Sequence, residues 1–255
     1  MSKLSTITLA LNEEANIVPC LESVAWADER IVVLDPRTTD RTAELARQAG
    51  ARVVERPFVN FADQHQAALG LATHDWVFSI DADERATPEL AEEICRATGQ
   101  PSPVGWWVPR HNIIWGRQIR HTGWYPDYQL RLMRRSRVHY DPEREVHELV
   151  ILDGEEGYLH NALVHYNYRT VAEFLHKTER YTLLEAGILR KAGVRPRLRS
   201  LVGQPLREFW RRYVEYQGYR DGGHGLLLSI LMAYYRGLTY WRLRQMQGGS
   251  TKKGQ

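Results

Sequence analysis

The sequence predicts an α/β fold, a mostly parallel sheet flanked by helices with a helical extension at its C-terminal end, and three observations lead to it. Short β-branched and apolar runs alternate with helical segments through the first hundred residues, the order that builds parallel sheets covered on both faces. Two of those runs end on acids, at Asp35 and at Asp81-Ala82-Asp83-Glu84, where open α/β sheets bind ligands. Beyond Thr170 the pattern becomes helical and strongly basic.

Taken in order, Leu4 to Leu11 reads as a strand, and Asn12-Glu13-Glu14 opens a helix with Ile17, Leu21 and Val24 on one face. Arg30 to Leu34 is a second strand, followed by a helix opening at Thr39-Asp40-Arg41-Thr42 that Gly50 can close. Arg52 to Glu55 is a third strand, Ala62 to Thr73 a helix, and Trp76 to Ile80 a fourth, buried strand. Thr87-Pro88-Glu89 supplies a capping Thr and a Pro at the first helical position. After the linker Gln100-Pro101-Ser102-Pro103, residues 104–168 are rich in Trp, Tyr, Arg and His, with extended runs only at Gly105 to Pro109 and Gln129 to Arg134. Thr170-x-x-Glu173 is a capping box for a helix reaching Ala192. Pro196 and Pro205 bracket a basic link, and from Leu206 the chain reads as helical, with a break at Asp221-Gly222-Gly223. Residues 1–168 are therefore expected to form one domain with halves 1–99 and 104–168, 169–247 a helical extension, and 248–255 a disordered tail.

Charge divides the chain in the same way. Residues 1–176 carry 18 Lys and Arg against 26 Asp and Glu, and residues 177–255 carry 16 against 5, so a net −8 is followed by a net +11. Such a basic segment suits an anionic membrane surface, a phosphorylated acceptor or nucleic acid. Cys20 and Cys95 show neither disulfide nor zinc spacing. No leader pattern precedes the first strand, and Gly222 to Tyr235, 14 uncharged residues, is shorter than the roughly 18 to 20 that span a bilayer. The expected location is cytoplasmic.

Asp81 and Asp83 stand where a strand leaves the sheet, and Mg²⁺ typically takes one or two carboxylates and fills its other positions with phosphate oxygens and water. The cluster reads as a metal and diphosphate site; the plain alternative is a solvated loop end. Two further carboxylates, Asp127 and Glu148, are candidates for a general base, or else for surface ion pairs with Arg131, Arg134 or Arg144.

These residues resemble an inverting family 2 glycosyltransferase of the GT-A, Rossmann-like fold. The resemblance covers residues 4–245 and is carried by Thr8 to Glu14, Asp35, Thr39 to Thr42, the Asp81 to Glu84 cluster, Gly123 to Leu132, Val146-His147-Glu148 and Gly218 to Gly225. They look like the branch that includes lipopolysaccharide inner-core β-glucosyltransferases of the WaaE type. It implies a UDP-sugar donor, UDP-glucose or a similar hexose, and a lipid-linked or lipopolysaccharide-core saccharide as acceptor. It assigns Leu11, Glu13 and Asp35 to the nucleoside, Asp83 to Mg²⁺ or Mn²⁺, and Asp81 to the ribose or a second metal position. His165 is a further metal or phosphate ligand, Asp127 or Glu148 the base, and Trp124, Tyr125 and His147 acceptor contacts. Relatives carry a glycine-containing loop after the second strand, whereas here Pro36-Arg37 replaces it, leaving Arg37 to meet phosphate or solvent.

With that setting, the basic tail points to the inner face of the cell membrane rather than to nucleic acid. Leu226 to Tyr235 followed by Arg236, Trp241, Arg242 and Arg244 reads as an interfacial helix; a core helix or a homodimer face are the other readings. Two rival functions are a sugar-phosphate nucleotidyltransferase, which would need a glycine-rich phosphate loop after the first strand, and a non-catalytic nucleotide-sugar-binding module.

Overall fold

The computed structural model describes residues 2–140 and 150–248. In chain order the elements are β1 (Leu4–Ala10), α1 (Ile17–Ser23), β2 (Glu29–Leu34), α2 (Thr42–Gln48), β3 (Arg52–Glu55), α3 (Phe61–Leu71), β4 (Trp76–Ser79), β5 (Glu84–Ala86) and α4 (Pro88–Ala97). There follow β6 (Gly105–Ile114), β7 (Arg117–Gln118), β8 (Asp127–Arg134), β9 (Val138–Tyr140), β10 (Val150–Leu152), β11 (Glu156–Tyr158) and β12 (Leu163–Tyr168). The chain closes with α5 (Val171–Lys191), α6 (Leu198–Trp210) and α7 (Gly222–Gly248).

Two compact units share these elements: Met1–His111 with Asp127–Tyr166, and Asn112–Pro126 with Asn167–Gln255. The segment Asn112–Pro126, which the sequence places in the acceptor half of the first domain, thus belongs with the C-terminal helices.

In the first unit the strand order is β3-β2-β1-β4-β8-β6-β12-β5. Pairing is parallel through β3, β2, β1 and β4 and antiparallel where β8 joins β4 and β6 joins β8. The period-2 alternation of side chains sorts the core onto two faces. Ile7, Ile31, Val33, Val77 and Met133 pack under α3, while Leu4, Trp76, Phe78 and Leu132 pack with α1 and α4. Gly50, at φ +80°, ends α2 in the left-handed conformation, and the Thr87 hydroxyl accepts the Leu90 N–H at the start of α4.

Within α3, His65 is buried and stacked on Tyr140, with ring centroids 5.1 Å apart. Burial pushes its imidazole down to about 4. The unfolded chain takes up this proton near the ordinary value of 6.5, so between about pH 6.5 and 4 it holds more protons than the folded one and stability falls with pH. The full loss is on the order of 3 kcal/mol. Urea denaturation across this range should show the slope, and His65→Phe, which keeps the stack, should flatten it.

The second unit is helical, and here it corrects the sequence reading in one place. The expected link between Pro196 and Pro205 is the helix α6, with Pro205 inside it. The lost N–H is tolerated because the Pro205 ring packs on α7, where a Cβ at Gly237 would stand 3.1 Å from Pro205 Cγ. The helix read as interfacial is half-buried: Leu228 and Leu243 are fully buried, Arg236 pairs with Glu185 at 2.7 Å and Arg242 donates to Thr182 Oγ1 at 2.7 Å, while Leu226, Leu227, Ile230, Tyr234 and Trp241 stay exposed.

The break at Asp221-Gly222-Gly223 is where this unit is tied together. The buried Asp221 carboxylate accepts from the backbone N–H groups of Arg120 (3.3 Å) and His121 (2.9 Å) and from the Thr122 hydroxyl (3.2 Å). Gly225 lies so close beneath that a Cβ there would come within 1.8 Å of the Gly218 carbonyl oxygen. Since backbone cannot swing aside as a side chain does, Gly225→Ala should cost at least the about 1–3 kcal/mol typical of overpacking. Thermal melting of that variant beside Gly223→Ala, where a Cβ meets nothing within 4 Å, checks it.

Candidate active site

Two loops at the ends of β1 and β2 are braced against each other. Asn12, at φ +55°, accepts the Thr39 N–H through its side chain at 2.9 Å, and the Glu13 and Glu14 N–H groups donate to Thr42 Oγ1 (2.8 Å) and Asp40 Oδ2 (3.0 Å). Leu11 is exposed, and Glu13 accepts from Asn16 Nδ2 at 2.7 Å. Asp35 is buried, and Arg37 folds back over it, its backbone N–H donating at 2.9 Å and its guanidinium gripping both carboxylate oxygens. These bonds hold the Asp35 carboxyl below the usual carboxylate range. The Pro36-Arg37 substitution in the loop thus has a definite consequence: Arg37 meets Asp35 and lies over the Phe58 ring.

The acid cluster follows β4. A turn closed by the Glu84 N–H on the Asp81 carbonyl (2.9 Å), with Glu84 Oε2 accepting the Asp81 N–H (3.0 Å), sends the chain directly into β5. That strand pairs with β12, setting His165 opposite Glu84. His165 Nε2 consequently lies 3.4 Å from Asp83 Oδ2. The Asp83 side chain is 28% exposed, so this carboxylate sits at a solvent-accessible rim with the buried His165 imidazole behind it. They suit a cation that completes its shell from phosphate oxygens and water. Among the described residues no group of three or more His, Cys, Asp or Glu side chains is placed to hold a metal ion.

Asp81 is engaged differently. Arg131, buried on β8, donates through Nη1 (3.3 Å) and Nη2 to the Asp81 oxygens, and through Nη2 to Glu84 Oε1 at 2.6 Å. Arg110 on β6 bridges onward, with Nη1 3.2 Å from Glu84 Oε1 and Nη2 2.6 Å from Asp127 Oδ2. Gln129 Nε2 donates to the other Asp127 oxygen at 3.1 Å. A continuous chain of alternating charge therefore runs Asp81, Arg131, Glu84, Arg110, Asp127. Burial opposes ionisation of Asp81, but the adjoining Arg131 guanidinium outweighs it and holds the carboxyl down at about 2. Burial prevails at Glu84, which is wholly inaccessible, and its carboxyl is pushed up.

In the second unit, Trp124 packs against the cluster of Ile114, Ile119 and Leu228 and meets Tyr168 edge-on at 6.3 Å. Tyr125 presents its ring to solvent. His147 and Glu148 lie outside the described residues. The two arginines of the relay are not among the sequence candidates for the site. Their signal is a charged residue at a position whose strand neighbours alternate into the core, as Arg131 does between Leu130 and Leu132.

Residues 5–147 match the family described as Glycosyl transferase family 2. The chain belongs to glycosyltransferase family 2. The enzyme is 33% identical over 251 residues to the lipopolysaccharide core biosynthesis glycosyltransferase LpsC of Rhizobium meliloti, covering 95% of this chain and 92% of that one. It is 25% identical over 257 residues to an uncharacterized glycosyltransferase of Rickettsia typhi, covering 96% and 88%. Among solved structures, S. aureus TarS 1-349 aligns at a TM-score of 0.49 and 16% identity over 99% of this chain and 92% of that one. Glucosyl-3-phosphoglycerate synthase from Mycobacterium tuberculosis, in complex with Mn²⁺, UDP and glucosyl-3-phosphoglycerate, aligns at 0.48 and 19% identity over 76% and 81%. These structural overlaps are too loose to bear on the enzyme's chemistry. No helix among the described residues is long and apolar enough to cross a membrane.

Proposed function

We propose that this family 2 glycosyltransferase moves a hexose from a UDP-sugar, UDP-glucose or a close relative, onto a saccharide of the lipopolysaccharide core or a similar lipid-linked acceptor, inverting the anomeric carbon. The acceptor class is suggested by the LpsC relative, which matches over nearly its whole length. The observation that carries the reading is the acid constellation of the first unit: Asp83 beside His165 at the rim, and Asp127 held in place by Arg110.

In this reading Asp35 accepts from the base or ribose of the donor, with Leu11 and Glu13 in the adjoining loop. Asp83, with His165, would hold Mg²⁺ or Mn²⁺. A bound cation of this kind neutralises charge on a departing diphosphate. Asp81, its carboxylate gripped by Arg131, serves to fix the turn and the ribose side rather than to bind the cation. The acceptor oxygen forms its bond to the anomeric carbon as the bond to the diphosphate breaks on the opposite face, and its proton passes to a carboxylate, for which Asp127 is our assignment. Reaction at the inner face of the membrane would meet both a cytoplasmic nucleotide sugar and a lipid-borne acceptor.

Calorimetric titration with UDP and UDP-glucose, in Mn²⁺ and then in EDTA, tests the donor side. Binding should require the metal and weaken about tenfold or more in Asp83→Ala, because charge-assisted contacts are worth roughly 1.5–3 kcal/mol. Absence of nucleotide binding under every condition would remove the transferase reading of this site and favour the non-catalytic one.

A further inference from the structure

The helix α6 carries an exposed apolar row that the fold of its own unit does not use. Leu198, Val202, Leu206 and Trp210 recur every fourth residue and are 69%, 64%, 65% and 58% exposed. Single exposed apolar residues are ordinary, but a contiguous row marks an interaction surface. The opposite side of α6 is committed to the helical unit, with Pro205 against Gly237 of α7 and Glu208 buried. Along the edge of the apolar row, Arg199 and Arg207 each follow one of its members by one position and are exposed, while Arg211, which follows Trp210, is paired with Glu208 at 2.6 Å.

We propose that α6 is the face by which this enzyme docks onto an anionic membrane surface. Leu206 and Trp210 would enter the headgroup and acyl boundary, where Trp is favoured, while Arg199 and Arg207 reach lipid phosphates. Charge selects this occupant. A second copy related by two-fold symmetry would lay one α6 along another and bring the basic rows together, within a segment, residues 177–255, that is already net +11. On α7, Arg236 and Arg242 are turned to partners on α5, which leaves Arg244 as the exposed arginine of that helix, beside Leu198 of α6.

Flotation of the full chain with vesicles tests this, using phosphatidylethanolamine with phosphatidylglycerol and, in parallel, phosphatidylcholine alone. Neither donor nor acceptor is present, so the result is independent of the transferase reading. Wild type should float with the anionic vesicles and release as salt is raised. Leu206→Glu with Trp210→Glu should lower partitioning about tenfold or more, and Arg199→Glu with Arg207→Glu should abolish the preference for anionic lipid. Leu227→Glu with Ile230→Glu, exposed positions on α7, should change little. Failure of wild type to float, equal loss from the α7 pair, or a dimer in sedimentation that the α6 pair dissolves would each overturn the assignment.

Discussion

Replacing Arg131 with methionine should destabilise the protein by about 3–5 kcal/mol, the range measured when one partner of a buried ion pair is removed. Arg131 is the central cation of the relay, and its guanidinium faces Asp81 and the fully inaccessible Glu84. Methionine keeps the unbranched stem but ends before the guanidinium, so part of the loss comes from the space the guanidinium vacates and the rest from charge. The electrostatic part falls on Glu84, which keeps the 3.2 Å contact to Arg110 and the Asp81 N–H at 3.0 Å, but whose ionised form lies in surroundings that already push its carboxyl up. Asp81, whose side chain is 41% exposed, loses less because water can replace the arginine.

The same logic fixes the pH dependence of that variant. A carboxyl whose folded value is raised lends stability below its unfolded value and loses it as pH rises through the folded one. Arg131→Met removes a cation that opposes the rise, so the destabilisation should be smaller near pH 5 than near pH 8. Adding Glu84→Gln should recover a large part of it, because a neutral amide needs no counter-charge. Urea denaturation of both variants at the two pH values is the measurement. An equal loss at both, unchanged by Glu84→Gln, would mean that Arg131 acts through packing.

The sequence was most legible where structure is local. The four parallel strands declare themselves as apolar runs, and the Thr87 cap and Gly50 stop act within a few residues of the helices they bound. What it hides is set by distant partners. Glu84-Arg85-Ala86 carries no strand signal and becomes β5 because Leu163 to His165 pair with it. That pairing is also what brings His165 to Asp83. Pro205 looks like a helix breaker until α7 offers a glycine beneath its ring. The apolar row of α6 is present in the sequence at a spacing of four, but two prolines mask its helical reading. Arg37 could be foreseen as close to Asp35, yet its closure over that carboxylate depends on how the loop turns. The base is the hardest case, since neither candidate has a signature beyond being an acid near aromatic residues.

Asp127→Asn should lower kcat by about 10²–10⁴-fold, the usual contribution of a general base, with donor affinity unchanged. The substitution is nearly isosteric: the amide oxygen can keep the Arg110 contact, and the Gln129 amide, which donates to the other oxygen, can turn to accept from the new NH2, so geometry should survive while basicity does not. Arg110 gives a second way to read the same assignment. Because it orients Asp127 and also contacts Glu84, Arg110→Lys keeps the charge but loses the fork that grips the carboxylate. It should reduce kcat less than Asp127→Asn does, with a small change in acceptor KM. Glu148→Gln serves as the counter-experiment: if Asp127 is the base, this variant should mainly raise acceptor KM, as loss of a positioning contact does. The opposite pattern, with kcat collapsing in Glu148→Gln and only KM moving in Asp127→Asn, would transfer the role to Glu148. Asp127 would then be a charge held at the end of the relay for structural reasons, and the 2.6 Å Arg110 contact would be a strut of the sheet.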